Sequence, residues 1–179
     1  QKTAYEIYQC DWSSDVCSSD LARDQAAAAQ ASAAQAQQQA DELQRQLSQL
    51  QARPTDRGML VTLGDVLFEF GRADIKPAAQ DELNKLAAYL QQHPERRVLI
   101  EGYTDSVGSD AANLTLSQRR AESVALALGR MGVAPDRIVA KGYGKSYPIA
   151  DNTTDTNRAM NRRVEVYISD NDQPVRSRG

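Results

Sequence analysis

Apolar residues recur in a repeat of seven between residues 22 and 53. Steps of four and three alternate along the positions Ala22, Ala26, Ala29, Ala33, Ala36, Ala40, Leu43, Leu47 and Leu50. This spacing is typical of the seam of a coiled coil, and the Ala, Gln and Leu that dominate the region favour a continuous helix. Because alanines bury little surface, two interpretations stay open. The helix either associates with copies of itself, giving a homo-oligomer through residues 22–53, or it is a lone helix.

A different pattern begins after this helix. The segment 54–58 runs from Pro54 to Gly58, and we predict it to be a linker. Residues 59–169 are predicted to form one domain, because about 110 residues are enough for a single core. Residues 170–179 are predicted to be a flexible tail.

Strand and helix patterns alternate within residues 59–169. Met59–Leu63 and Val66–Phe68, separated by Gly64 and Asp65, are predicted to pair as a hairpin. The remaining elements are a helix from Pro77 to about Gln92, a strand over Arg97–Tyr103, a helix from Ser109 or Asp110 to about Met131, and strands over Ile138–Gly142 and Arg162–Ile168. An α+β fold follows, in which a mixed β-sheet packs its helices on one face and the Ala/Gln-rich helix precedes it.

The first 21 residues differ from the rest of the chain. Gln1–Leu21 resembles the in-frame translation of a sequencing-library adapter, with fixed parts at 1–7 and 10–21 and a gap of barcode length between them. The segment holds both cysteines, and its net charge of −3 equals the formal charge of the whole chain. We therefore predict that it is non-native, against the alternative of a genuine flexible N-terminus. A signal peptide, lipid-attachment site or other membrane anchor would then have stood upstream of Ala22.

The composition argues against several classes of function. Without residues 1–21 the chain is formally neutral and has no cysteine, so no overall field attracts nucleic acid, and aromatic residues do not interleave with basic clusters. Catalysis needs a nucleophile with a base, a close carboxylate pair or metal ligands, whereas the sequence has the single histidine His93 and no metal-ligand spacing. We expect no enzymatic activity, no cofactor, no metal and no nucleic-acid partner.

Several ordered motifs occur within residues 60–168. They are Glu101-Gly102-Tyr103-Thr104-Asp105, then Gly108, then Asn113 to Ala121 with Val124, then Gly142-Tyr143-Gly144 with Pro148, and Arg158 to Glu165. Together they closely resemble the OmpA-like, peptidoglycan-associated C-terminal domain. The resemblance implies a protein of the periplasm, associated with the outer membrane of a Gram-negative bacterium. It also implies non-covalent binding of the peptidoglycan stem peptide, which would anchor the envelope to the cell wall.

The resemblance further implies a ligand and a site. The family's ligand is the end of the diaminopimelate side chain, which carries an ammonium and a carboxylate on one carbon. Asp105 and Arg120 match the two gripping positions: an aspartate accepts hydrogen bonds from an ammonium, and an arginine fork holds a carboxylate. Thr104 is expected to brace Asp105. Asn113 matches a family position that contacts or orders the site, and Arg162 matches a ligand-side arginine.

The residue pattern supports this site independently. Asn113, Ser117 and Arg120 are spaced to share one stripe of the second predicted helix. Along the last strand, side chains alternate between faces, so Arg162 is expected on the helix side. Arg163 then points the other way and is expected to lie at the surface or to brace a loop.

Other interpretations remain. Judged from the residues alone, Asp105 and Arg120 form either a ligand site or an internal salt bridge. Two further functions also stay open: a structural coiled-coil envelope protein and a flagellar-stator-type wall anchor.

Overall fold

The structure, a computed structural model, describes residues 12–64, 67–68 and 71–178, with the side chains of 12–22 and 24 left out. The chain divides into two compact units after Arg45. Helix α1 spans Trp12–Gln49, so the predicted N-terminal helix is present, but it begins within the predicted adapter-derived segment and ends before residue 53. Residues 1–11 of the predicted adapter-derived segment lie outside the described residues.

The second unit contains a five-stranded sheet. Its strands are β1 (Arg53–Thr55), β2 (Gly58–Leu63), β3 (Val98–Gly102), β4 (Ile138–Gly142) and β5 (Val164–Ile168), in the spatial order β1-β2-β5-β3-β4. Strands β3 and β4 are parallel, and the other neighbours are antiparallel. The last strand in sequence therefore lies at the centre of the sheet.

Three further helices accompany the sheet within the described residues. They are α2 (Gln80–Gln92), α3 (Asp110–Arg130) and α4 (Asp155–Asn161), with 3₁₀ turns at Pro77–Ala79 and Pro135–Arg137. The Ser109 hydroxyl caps α3 by accepting a hydrogen bond of 3.2 Å from the Ala112 N–H. Gly132 follows α3 with a φ of 93°, a left-handed conformation that glycine tolerates at a helix end. The predicted α+β fold and the limits of α3 are thus confirmed, whereas Pro77 opens a 3₁₀ turn and α2 begins only at Gln80.

The core lies where α3 packs on β3 and β4. Its fully buried side chains come from one face of each element: Leu83, Leu86 and Leu90 of α2, Val98 and Ile100 of β3, Val124 and Leu128 of α3, and Val164, Val166 and Ile168 of β5. The period of two in the strands and the 3.6-residue period in the helices place these residues on the shared side. No helix within the described residues is both long and apolar enough to cross a membrane.

The predicted linker and hairpin need correction. Arg53–Thr55 pairs with Gly58–Leu63, so residues 54–58 form a strand and its turn inside the sheet. The hairpin therefore lies before residue 64, and β2 takes β5 as its second neighbour. Phe68 instead bridges Ile75. Local turn signals misplaced the pairing because β2 finds its central partner about a hundred residues away.

The two ends of the second unit also differ from the prediction. Leu47 and Leu50, predicted seam residues of a coiled coil, are buried in this unit within a single chain. Leu50 lines a small cavity with Val61 and Leu63 of β2. At the other end, residues 176–178 of the predicted flexible tail form hydrogen bonds with the sheet. The apolar side chains at the N-terminal end and the polar groups at the C-terminal end of this unit therefore make contacts that exist only in the folded sheet.

Candidate functional site

Helix α3 approaches the ends of β3 and β4 unusually closely. A Cβ at Gly102 would lie 2.1 Å from the Ser117 carbonyl oxygen, and one at Gly142 would lie 2.3 Å from the Gln118 nitrogen. Only glycine permits this approach. The Ser117 hydroxyl then accepts a hydrogen bond of 2.8 Å from the Gly144 N–H. The first half of α3 is therefore fixed against the strand ends.

The loop after β3 carries two of the predicted site residues. Thr104 donates its N–H to the Gly144 carbonyl at 2.8 Å, and its hydroxyl donates to the backbone carbonyl of Asp105 at 3.1 Å. Asp105 Oδ1 accepts the Val107 N–H at 3.0 Å. The Asn113 side-chain amide, one turn into α3, donates to the Val107 carbonyl at 3.0 Å. Thr104 therefore contacts the backbone of Asp105, and Asn113 contacts the same loop.

Arg162 reaches this loop from the end of α4. Its Nη1 lies 2.8 Å from Asp105 Oδ2, and the Arg162 side chain is 15% exposed against 8% for that of Asp105. Arg162 follows α4 directly, ahead of β5. The prediction that Arg162 points to the site is consistent with this position. A carboxylate and a guanidinium are therefore paired at the end of the sheet.

Arg120 lies on the same stripe of α3 and is 2% exposed. Its Nε donates to the Arg72 carbonyl at 3.0 Å, and its guanidinium lies 5.1 Å from the centroid of the Phe68 ring. Phe68 and Arg72 therefore position Arg120. The alternative of an internal salt bridge involving Asp105 does occur, but the cation is Arg162.

Arg163 pairs with Glu165, whereas Arg162 pairs with Asp105. Arg163 is buried, and its guanidinium donates to the Tyr147 carbonyl at 3.1 Å and to the Asn161 carbonyl at 3.3 Å. Of the two predicted roles, loop bracing is therefore correct, and a surface position is not. A period of two over residues 162–168 predicts different directions for the two arginines, and they do pair with different carboxylates, although β5 begins only at Val164.

Two asparagines that sequence reasoning missed support the site. Asn161 is fully buried, and its side-chain oxygen accepts the N–H groups of Ile149 and Ala150 at 2.8 and 3.0 Å. Asn152 accepts the Ser106 N–H at 3.1 Å, which ties this second loop to the residue after Asp105. The available signal was the cap Thr154, whose hydroxyl accepts the Asn157 N–H at 3.1 Å and so opens the short helix α4.

The arrangement can hold a small group that carries both charges. An ionised carboxylate offers about four lone-pair directions, and Arg162 and Val107 use two of those on Asp105. The buried guanidinium of Arg120 offers a planar fork for an anion. Among the residues that the structure describes, no group of three or more His, Cys, Asp or Glu could hold a metal ion.

The fold and this pairing define an α+β domain with an acidic and a basic residue joined at one end of its sheet. Comparison with known proteins gives the family: residues 67–162 match the OmpA family, and the chain belongs to it. Outer membrane porin F of Pseudomonas fluorescens is 48% identical over 104 residues, which is 58% of this chain and 32% of the porin. The peptidoglycan-binding protein ArfA of Mycobacterium bovis is 44% identical over 109 residues, which is 61% of this chain and 33% of that protein.

A solved structure supports the same assignment. The peptidoglycan-associated lipoprotein from Burkholderia pseudomallei superimposes with a TM-score of 0.56 at 34% identity, over 60% of this chain and 89% of that one. The chain spans about a third of the length of the curated relatives named above. The names of two of these three proteins refer to peptidoglycan, and the third is named as a porin of the outer membrane.

Proposed function

We propose that the domain binds peptidoglycan without cleaving it, through the diaminopimelate end of the stem peptide, and so anchors the outer envelope to the cell wall from the periplasm. The observation that carries the proposal is the buried ion pair of Asp105 and Arg162 at 2.8 Å. Membership of the OmpA family and the names of two relatives, a peptidoglycan-binding protein and a peptidoglycan-associated lipoprotein, support the choice of ligand.

The chemistry of the proposed ligand suits these residues. Diaminopimelate ends in an ammonium and a carboxylate on one carbon, so its receptor needs an anion and a cation a few ångströms apart. Asp105 accepts hydrogen bonds from the ammonium, and Arg120 holds the carboxylate, with Arg162 beside them. Thr104 and Asn113 keep the loop in place through its backbone.

Binding of matched peptides to the full chain tests this assignment. A stem peptide that ends in diaminopimelate is compared with one that ends in lysine, by titration calorimetry. The lysine peptide lacks the carboxylate that Arg120 would hold, and we expect its affinity to be about ten- to a hundredfold lower. Equal affinity for both peptides would contradict the role of Arg120 even if the protein still bound the wall.

Single substitutions separate the two ends of the ligand. Asp105→Ala and Arg120→Ala should each lower affinity for the diaminopimelate peptide by roughly ten- to a hundredfold. Arg119→Ala is the matched control, since Arg119 is the adjacent residue of α3 and is exposed. If Arg120 holds the carboxylate, Arg120→Ala should bind the diaminopimelate and lysine peptides with similar affinity. Arg119→Ala should still prefer the diaminopimelate peptide.

The proposal also excludes hydrolysis. Incubation of the full chain with purified peptidoglycan should deplete the protein from solution while releasing no soluble muropeptides. Release of fragments above the level of a blank would show an enzymatic activity and contradict the proposal of a binding protein.

A further inference from the structure

Two buried glutamates face each other on the side of the sheet opposite to the core helices. Glu101 of β3 and Glu165 of β5 are direct partners in the antiparallel register and are 0% and 4% exposed. Like charges in opposite positions repel one another, and burial adds a desolvation penalty. We call this surface, formed by Glu101, Tyr103, Glu165 and Tyr167, the glutamate face.

Two arginines of the domain already balance the two carboxylates. Arg57 donates from Nη1 and Nη2 to the two Glu101 oxygens, at 2.9 and 3.2 Å. Arg163 Nε donates to Glu165 Oε1 at 2.7 Å. Burial by itself would raise the pKa of Glu101, but the hydrogen bonds from Arg57 and Tyr103 outweigh it and lower that pKa. The carboxylates of the glutamate face are therefore held in place by residues outside the segment 176–178.

A third guanidinium occupies this face. Arg178 Nε lies 3.4 Å from Glu101 Oε2, and Arg178 Nη2 lies 3.2 Å from Glu165 Oε2. The guanidinium is 5.7 Å from the Tyr103 ring centroid and 5.1 Å from that of Tyr147. Two carboxylates at fixed separation with aromatic rings beside them suit a planar fork. An ammonium is a single point charge and cannot reach both carboxylates in the same way.

The chain around Arg178 is held by its backbone. The Arg178 N–H lies 3.4 Å from Glu101 Oε1, and the Arg178 carbonyl accepts the Tyr143 hydroxyl at 2.9 Å. The Arg176 carbonyl accepts from Arg57 Nη1 at 3.2 Å, while residue 176 itself is exposed. Lys141 Nζ donates to the Ser177 hydroxyl at 2.9 Å. The face thus contacts the main chain of two residues and requires a particular long side chain only at position 178.

We propose that the glutamate face is an arginine-selective binding site for an extended peptide segment, and that the chain fills it with its own residues 176–178. It differs from the Asp105 site in its partners, because Arg162 pairs with Asp105 whereas Arg163 pairs with Glu165 of the glutamate face. Its occupancy does not depend on the proposed binding of peptidoglycan.

Titration of a peptide into the full chain tests the proposal. The probe is the hexapeptide Pro-Val-Arg-Ser-Arg-Gly, which is the sequence of residues 174–179, and the receptor is the full chain with Arg178→Ala. We expect binding to this variant, an affinity at least about tenfold lower for the peptide with Arg178→Lys, and unchanged affinity for the peptide with Arg176→Ala. The unsubstituted chain should not bind, because its own segment has an effective concentration on the order of millimolar.

The possible outcomes decide between this site and simpler explanations. Thermal unfolding first confirms that Arg178→Ala is folded, as expected for a side chain that is 32% exposed. Equal affinity for the arginine and lysine peptides would reduce the site to a nonselective cation contact. Equal binding to the variant and the unsubstituted chain would place the peptide elsewhere. Absence of binding to the variant at millimolar peptide would overturn the proposal.

Discussion

Arg162 and Asp105 form an ion pair of 2.8 Å although 57 positions separate them in the sequence. Asp105 is buried, so removing its partner leaves an uncompensated carboxylate. Arg162→Ala should lower the free energy of unfolding by about 1.5–3 kcal/mol, the range for a hydrogen bond between charged groups. Urea unfolding at neutral pH measures this change in the free energy of unfolding. The exposed neighbour variant Arg119→Ala should stay within about 0.5 kcal/mol of the unsubstituted chain, and an equal loss in both variants would contradict the specific role of the ion pair.

The approach of α3 to β3 predicts opposite effects of alanine at two glycines. Gly102→Ala should destabilise the domain by about 1–3 kcal/mol or more, because its Cβ would collide with the Ser117 backbone. Gly129 of α3 has open space around its Cβ position, so Gly129→Ala should stabilise by about 0.5–1 kcal/mol through helix propensity. Chemical denaturation of both variants checks the sign of each change, and destabilisation by both would argue against the steric explanation.

The lowered pKa of Glu101 predicts a loss of stability in acid. A carboxyl whose pKa lies below its ordinary 4.5 in the folded protein contributes stability above about pH 4.5. That contribution is lost as the pH falls through the folded-state pKa. Glu101→Gln should therefore be less stable than the unsubstituted chain at pH 7, and the difference should shrink toward pH 3. Urea unfolding across this range tests it, with exposed Glu122→Gln as the control. A difference that is constant with pH would contradict the assignment.

The buried end of α1 predicts that two parts of the apolar repeat behave differently. Leu47→Ala should destabilise the domain by about 2–5 kcal/mol, because this side chain is 8% exposed within one chain. Changing Ala29, Ala33 and Ala36 together to Glu should leave the domain's stability unchanged, since all three are exposed. If α1 associates with copies of itself, the triple variant should convert an oligomer to a monomer in sedimentation. A chain that is monomeric before substitution would leave α1 as a lone helix.

The adapter hypothesis predicts that residues 1–21 are dispensable. The compact unit that carries both sites begins at Gln46, so deletion of 1–21 should change neither its melting temperature nor its binding to cell-wall sacculi. Calorimetry and a sedimentation pulldown compare the two chains. A fall in melting temperature of more than about 4 °C would count against a non-native segment, because a shift of that size corresponds to a stability loss of roughly 1 kcal/mol in a domain of this size.

Local sequence patterns determined much of this fold. Helix α3 begins at its cap Ser109 and ends before Gly132, and β4 occupies the predicted Ile138–Gly142. Caps, glycine after helices and apolar periodicity are properties of a few neighbouring residues, so they can be identified from the chain alone. In the same way, a period of two over residues 162–168 predicts different directions for Arg162 and Arg163, although β5 begins only at Val164. The site residues Asp105, Thr104 and Asn113 came from motifs rather than from geometry.

Only the tertiary structure decided which of these pieces meet. It paired β2 with β1 and β5 in place of the predicted hairpin, joined Asp105 to Arg162, and brought Arg178 to Glu101 and Glu165. A backbone group or a charged side chain can pair with many residues of the same chemical type. Sequence spacing does not show which of the distant candidates is the actual partner. Burial selects the partner, because a desolvated carboxylate needs a cation at a fixed position. That position exists only after the strands have assembled.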